Sequence, residues 1–240
     1  MKKQFNVLPK LAALSVLAAF AAPAMAQQAG DNVVNAGWAH IGLNQSSELL
    51  KINGTAIPNT GAHVSDADTL ILQFTHFFTD NIAVTADLGI PPKFKLNGAG
   101  ALQSQGQIGT ANQWSPALLA KYYFGDANSQ FRPYVGAGAA YVWYSNIKIN
   151  NNFQQLLGAV AGNPGAPTSA DLSSSLAPVA NVGMVYNFDK NWSANFSLSY
   201  VKLSTKADLK TQRLDGTTSH ATTKLTLDPL VSVLTIGYKF

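Results

Sequence analysis

From Ile82 to Ile90 the chain alternates in period two. Ile82, Val84, Ala86, Leu88 and Ile90 fall on one face of an extended strand, and Ala83, Thr85, Asp87 and Gly89 fall on the other, because successive strand side chains point to opposite sides. Phe196, Leu198 and Tyr200 repeat the pattern beside Asn195, Ser197 and Ser199, as do Leu118, Ala120, Tyr122 and Phe124 beside Leu119, Lys121 and Tyr123. Read along the whole chain, the alternation predicts eight strands: Val33–Leu43, Thr69–Phe78, Ile82–Ile90, Trp114–Phe124, Arg132–Tyr144, Ala177–Phe188, Trp192–Lys206 and Lys224–Phe240. Their connections alternate as well. Thr79-Asp80-Asn81, Gly125 to Phe131 and Asp189-Lys190-Asn191 are short, whereas Asn44–Asp68, Pro91–Gln113, Ser145–Leu176 and Ala207–Thr223 are long.

Segments of about ten residues, apolar on one face and polar on the other, with connections of alternating length, predict an all-β fold. The specific expectation is an eight-stranded antiparallel transmembrane β-barrel with four long extracellular loops, short periplasmic turns and both chain ends in the periplasm. Aromatic residues support it, since an interfacial belt gathers at strand ends. Phe77 and Phe78, Tyr122 to Phe124, Tyr134, Tyr186, Phe188, Trp192, Tyr238 and Phe240 all fall at the ends assigned to the periplasmic side. A soluble periplasmic β-sandwich also alternates, but it has no use for aromatic clusters at one end of nearly every strand. The closing run Leu234, Ile236, Tyr238, Phe240 resembles the C-terminal signal that barrel-assembly machinery reads, which makes Tyr238 and Phe240 the candidate assembly signal and that machinery a partner during biogenesis.

The first residues change the charge balance. Lys2, Lys3 and Lys10 precede an apolar run from Leu11 to Ala22 and the small-residue pattern Pro23-Ala24-Met25-Ala26, the layout of a secretory signal cleaved after Ala26. The run is about twelve residues long, short of the roughly twenty that a membrane-spanning helix needs. Residues 1–26 are therefore expected to be a cleaved signal peptide and residues 27–240 the outer-membrane barrel, located in the outer membrane of a Gram-negative bacterium. The leader carries three of the sixteen basic residues and none of the twelve acidic ones, leaving thirteen against twelve, a net charge of +1. A nucleic-acid footprint is not indicated. With no cysteine in the chain, disulfides and thiolate metal sites are excluded, and a closed hydrogen-bonded barrel supplies stability instead.

At this level of detail the chain resembles the OmpW/AlkL family of outer-membrane β-barrel proteins. The resemblance is carried by Gly30-Asp31 ahead of the first strand, Thr79-Asp80-Asn81-Ile82, Pro116-Ala117-Leu118-Leu119 with Tyr122-Tyr123-Phe124-Gly125-Asp126, Arg132-Pro133-Tyr134-Val135-Gly136-Ala137-Gly138, and Leu227-Asp228-Pro229 ahead of Gly237-Tyr238-Lys239-Phe240. It covers essentially the whole chain after the leader. Leu230 stands where many members carry Trp, Val142-Trp143-Tyr144 replaces a more uniform aromatic pair, and the third long loop is extended by a Gly/Ala/Pro-rich stretch. The resemblance implies a channel for passive uptake of small, mostly hydrophobic molecules through a narrow barrel that opens sideways into the bilayer. The implied partners are outer-membrane lipid and small hydrophobic solutes, with no cofactor.

The residues bear on that implication independently. Eight strands leave a lumen only wide enough for side chains, which disfavours a wide aqueous porin. Thr85, Asp87, Lys121, Asn181 and Asn195 are predicted to face the lumen, as a structural polar plug or as a constriction controlling passage. Pro91 and Pro92 end the third strand, Pro116 opens the fourth, Pro178 the sixth and Pro229 the eighth; a proline lacks a ladder donor. Pro91, Pro92 and Pro116, on adjacent strands, form the candidate lateral opening. In the loops, Leu49, Leu50, Ile52, Ile57, Leu156, Leu157 and Val160 either meet solutes or only pack the loops together, and Gln154 to Ala161 are expected to form a short helix over the mouth.

Other chemistries compete. Gly136-Ala137-Gly138-Ala139-Ala140-Tyr141 lacks the third glycine and following helix of a dinucleotide site and reads as a tightly curved strand. His40, His63, His76 and His220 show no metal-ligand spacing. An outer-membrane lipid hydrolase needs a nucleophile, base and orienting group at the rim, for which His63 with Ser65 and Asp66, or Ser219 with His220, supply residue types only; no catalytic residue is assigned. The remaining alternative is a surface-interaction or structural barrel whose loops bind a phage, a toxin or another cell.

Overall fold

The computed structural model of the chain describes residues 27–240, so the expected leader, with its cleavage position at Ala26, lies outside the described residues. Eight strands of the described chain close into a barrel: β1 Asn32–Gly42, β2 Ala67–Phe77, β3 Ile82–Gly89, β4 Ala117–Tyr123, β5 Phe131–Ile149, β6 Ser175–Asn187, β7 Trp192–Val201 and β8 Leu230–Lys239. Each pairs antiparallel with its neighbour in the chain. β8 returns to β1, from Val33↔Lys239 to Gly42↔Leu230, so the ring has no free edge.

Period-two alternation decides what the wall faces. Leu70, Leu72 and Phe74 on β2, Leu118 and Tyr122 on β4 and Leu234 and Ile236 on β8 are exposed outward, where lipid covers them. Thr75, Thr85, Lys121, Asn195 and Thr235 on the opposite face are buried inside. The periplasmic turns are closed by side chains. Thr79 Oγ1 accepts the Ile82 amide at 2.9 Å, and Asp189 Oδ1 accepts the Asn191 and Trp192 amides at 2.8 Å each. Those two bonds, from Trp192 and then Asn191, hold the exposed Asp189 carboxyl below its ordinary value.

The structure corrects the expected segments at the extracellular end. The long loops are not irregular: Lys93–Gly100 and Gln107–Trp114 form one hairpin, Ser204–Gln212 and Thr218–Thr226 another, and Thr60–Val64 and Thr168–Leu172 add to their edges. Alternation persists above the membrane, as in Lys93, Phe94, Lys95, Leu96, and the apolar members need an interior. Expected strand Trp114–Phe124 is interrupted at Ser115-Pro116, and Trp192–Lys206 at Lys202-Leu203. Lys224–Phe240 breaks at Leu227-Asp228-Pro229, where Asp228 takes φ 33° and its carboxylate accepts the Leu203 amide and the Lys202 ammonium. Pro178 does not open its strand but sits inside β6, paired with Ala139. Helix α1 runs Asn151–Val160, beginning three residues earlier than expected because Asn150 caps it, its side chain accepting the Asn152 amide at 3.1 Å.

The aromatic belt also needs revision. Phe78, Tyr122, Phe124, Tyr186, Phe188, Trp192, Tyr238 and Phe240 are exposed at the periplasmic end, joined by Phe131. Phe77, Tyr123 and Tyr134 are buried and packed on one another inside the barrel. Neighbouring residues on a strand face opposite ways, so an outward Phe78 and Tyr122 require an inward Phe77 and Tyr123.

Candidate transport route

The floor is built around Arg132, which the second position of β5 turns into the lumen with no exposed surface. Its Nη1 donates to the Gln27 carbonyl at 2.8 Å and its Nη2 to the Asp80 carbonyl, while the guanidinium lies 5.3 Å from the Tyr123 ring centroid. Gln27 in turn donates from Nε2 to Asn187 Oδ1 at 2.9 Å. The segment before β1 thus folds beneath the barrel and is held there from β5 and β6.

Above this floor lies a polar layer. Asn195 on β7 donates to Gln73 Oε1 on β2 and to Thr235 Oγ1 on β8, both at 3.3 Å, and accepts the Tyr134 hydroxyl of β5 at 2.8 Å. Strands β2 and β7 are not neighbours, so the Gln73–Asn195 bond crosses the lumen. Asp87 accepts from Gln73 Nε2 at 2.9 Å, Thr75 and Thr85 share a hydroxyl bond at 2.9 Å, and Asn181 Nδ2 donates to Ser199 Oγ at 2.8 Å. Lys121 Nζ sits 4.8 Å above the Tyr134 ring centroid. The five lumen-facing candidates read from the sequence all lie in this layer. Reasoning from sequence missed their organisers, Gln73, Arg132 and Tyr134, although inward parity marks all three, Gln73 beside outward Phe74, Arg132 beside outward Phe131 and Tyr134 beside outward Val135. Gly183 makes room for Tyr134: a Cβ there would stand 2.5 Å from the tyrosine Cζ and Oη.

The upper lumen is apolar, with Ile41, Leu119, Val142, Val179, Val201 and Leu203 buried toward it. Its cavity, about 840 Å³ of non-atom space partly open to the outside, reaches from Val142 and Val233 sideways to Leu88, Ile90, Pro92 and Ser115 in the wall. That wall is unpaired. The β3–β4 ladder ends at Asp87↔Ala117, and backbone hydrogen bonding resumes with the Gln113 amide on the Pro92 carbonyl, one step before Lys93↔Asn112. Among the described residues no backbone hydrogen bond joins Leu88–Pro91 to Trp114–Pro116. At its upper end the gap is closed by the Asn112 side chain on the Pro91 carbonyl and the Gln113 amide on the Pro92 carbonyl, whereas the Pro116 carbonyl is turned away to the Tyr141 amide of β5. Leu88 and Ile90, exposed by 54% and 61%, stand on the lipid side of the gap.

Two further cavities continue upward. A neck bounded by Phe94, Tyr144, Leu172 and Leu227 shares Gln113 with the lumen cavity. A mouth of about 680 Å³, walled by Leu50, Leu102, Ile108, Phe153 and Leu209, shares Leu96, Leu172 and Leu225 with the neck. Of the loop aliphatics singled out from sequence, Leu50 and Leu157 are buried in the mouth cluster with Ile52 and Leu156 against it, while Leu49 and Val160 are exposed.

The residues weighed for other chemistry are engaged elsewhere. Ser65 Oγ accepts the Lys95 amide and Asp66 the Leu43 amide. Ser219 Oγ accepts from Asn53 Nδ2, and His220 pairs with Asp208 at 3.0 Å. Neither serine has a histidine as a hydrogen-bond partner, and no group of three His, Asp or Glu side chains converges to hold a metal among the described residues.

Comparison with known proteins matches the OmpW family model over residues 28–240. The chain is 33% identical to Outer membrane protein W of Vibrio cholerae serotype O1 over 241 residues, all of both chains. It is 27% identical over 206 residues to the dibenzothiophene metabolism operon protein PahQ of Pseudomonas aeruginosa, covering 85% of this chain and 86% of that one. Among solved structures, the outer membrane protein OprG of Pseudomonas aeruginosa superimposes with a TM-score of 0.78 at 26% identity, covering 90% of this chain and 99% of that one.

Proposed function

Since the chain belongs to the OmpW family of outer-membrane barrels, we propose that it mediates passive uptake of small hydrophobic solutes and releases them sideways into the bilayer. The observation that carries this reading is the succession of apolar mouth, neck and upper lumen that ends at an unpaired stretch of wall. A solute entering between the loops gains about 0.8 kcal/mol for each methylene removed from water. Going straight on would mean displacing a hydrogen-bonded layer whose unpaired groups would each cost about 1 to 3 kcal/mol. Leaving between Leu88–Pro91 and Trp114–Pro116 meets no ladder and no polar side chain network. Pro91 and Pro92 keep that window open by denying its β3 edge donors, Pro116, whose carbonyl is turned to the Tyr141 amide of β5, ends the regular run of β4 at the opposite edge, and Thr85, Asp87, Lys121, Asn181 and Asn195 act as the plug that closes the vertical path. PahQ, whose name ties it to the metabolism of an aromatic thiophene, supports a hydrophobic cargo.

Biogenesis completes the reading. Residues 1–26 act as the export signal, and cleavage after Ala26 frees Gln27 to seat in the floor beneath Arg132. Tyr238 and Phe240, exposed on the lipid face of the last strand, present the signal to barrel-assembly machinery. The functional test is entry of a medium-chain alkane or fatty ester into cells with and without the protein, alongside a small polar solute. Faster entry of the hydrophobic solute alone is expected. Faster entry of the polar solute would indicate an aqueous channel, and no change in either would favour a surface-interaction role.

A further inference from the structure

The wall above the lateral window carries three lysines in two rows, Lys93 and Lys95 on the hairpin and Lys148 on β5. Lys95, Thr110 and Lys148 stand side by side on three adjacent strands. Lys93, Asn112 and Ser145 form the next row toward the membrane, and Trp114 pairs with Trp143 in the row below. The two indoles are stacked at 5.7 Å and 2°, and Trp114 Nε1 donates to Ser145 Oγ. Buried Phe94 fixes the direction of its neighbours, since Lys93 and Lys95 must point to the outside of the wall.

Lys148 reaches this face by a local break in register. Along regular β5 it would share the inward parity of Val142 and Tyr144. Between Ser145 and Lys148 the strand carries one residue more than its partner, with Asn146 at φ 50°. Such a bulge reverses the alternation, so Ile147 and Ile149 turn to the mouth, which the Lys148 segment also borders, and Lys148 is exposed.

All three lysines are exposed, and among the described residues none has an acidic partner. Lys51, Lys202, Lys210 and Lys239, by contrast, are each paired with a carboxylate. Strands roughly 5 Å apart place the Lys95 and Lys148 backbones about 10 Å apart, and rows repeat about every 7 Å along a strand, so flexible ammonium groups converge over Thr110 one to two rows above the indoles. Stacked tryptophans mark the level where hydrocarbon gives way to headgroups. A concentration of unpaired positive charge immediately above that level suits a phosphate whose acyl chains lie against Trp114, Trp143 and Tyr141.

We propose that Lys93, Lys95 and Lys148, above the Trp114–Trp143 pair, form a binding site for the phosphorylated headgroup of an outer-leaflet lipid. The site does not rest on the uptake route, although Thr110 and Lys148 also border the mouth and a lipid held there lies beside the window. The test uses the full mature chain folded in uncharged maltoside micelles and titrated with lipid A, with bound lipid counted by native mass spectrometry. K93Q/K95Q/K148Q is expected to weaken binding about 100-fold and each single variant about 5-fold. K206Q/K224Q, a facing lysine pair whose next row toward the membrane is Ser204 and Thr226, should stay within about 2-fold of the parent. Inorganic phosphate at the lipid concentration should not compete. The site is overturned if the lysine variants bind as the parent does, if K206Q/K224Q weakens binding as much, which would indicate diffuse attraction, or if inorganic phosphate displaces the lipid, which would indicate a free-anion site. The single variants keep the test decisive should the triple variant not fold.

Discussion

Replacing Arg132 by alanine removes the side chain that ties the pre-barrel segment to the floor. Two charge-assisted bonds are lost, to the Gln27 and Asp80 carbonyls, each worth about 1.5 to 3 kcal/mol. The contact with the Tyr123 ring adds roughly 1 to 2 kcal/mol where desolvated. Against this stands relief from burying a guanidinium, which costs several kcal/mol, and hydration of the vacated space. The net expectation is a loss of about 3 kcal/mol in unfolding free energy. A second consequence separates this role from generic packing: the vacancy lies between the polar layer and the periplasm, so R132A should also make a planar bilayer leakier to ions. Urea unfolding in micelles and single-channel recording read the two effects. A variant that unfolds like the parent and leaves the bilayer as tight would show that the floor does not depend on Arg132.

Three other substitutions probe separate layers. V142D places a carboxylate in the apolar upper lumen, where Val142 is buried; hydrophobic uptake should fall about tenfold, as if two methylenes were denied apolar contact, with surface abundance unchanged on immunoblots. G183A should destabilise the barrel by about 1 to 3 kcal/mol, because the new Cβ meets Tyr134 at 2.5 Å and the Phe196 carbonyl at 2.7 Å, and it should shift the Tyr134 environment in near-ultraviolet spectra. At the rim, burial pushes the Asp228 carboxyl up, but the Lys202 ammonium, the Leu203 amide and the Tyr200 hydroxyl outweigh it and hold it below its ordinary 3.8. A lowered folded value means that stability is present above pH 3.8 and fades as pH falls through that folded value. D228N, which tolerates the same positive φ, should cost about 1 kcal/mol at neutral pH, and denaturant midpoints of the two proteins should converge below the Asp228 titration.

Strand number, order and facing were legible because alternation over about ten residues leaves one consistent parity per segment. The turns at Thr79 and Asp189 were equally plain, since short polar runs between apolar strands have little else to do. The inward Phe77, Tyr123 and Tyr134 were legible too, yet position at a strand end hides parity unless each aromatic is assigned a face. The upper hairpins were harder: Lys93 to Leu96 alternates over only four residues, too few to separate strand from loop. The Asn146 bulge leaves no mark in Ser145-Asn146-Ile147, so the outward turn of Lys148 emerges only from the register with Thr110. Of the gap in the wall the sequence showed only three prolines on adjacent strands; that the ladder stays open from Leu88 to Pro91 depends on pairing between segments more than twenty residues apart.

A sideways exit is tested most directly by hydrophobic uptake in cells carrying P91V/P92V, which restores two backbone donors along the β3 edge of the window. Entry of a medium-chain alkane should fall toward the level of cells lacking the protein while the variant remains folded and abundant in the outer membrane. Uptake equal to the parent, with the β3–β4 ladder shown by amide hydrogen exchange to have closed, would contradict it.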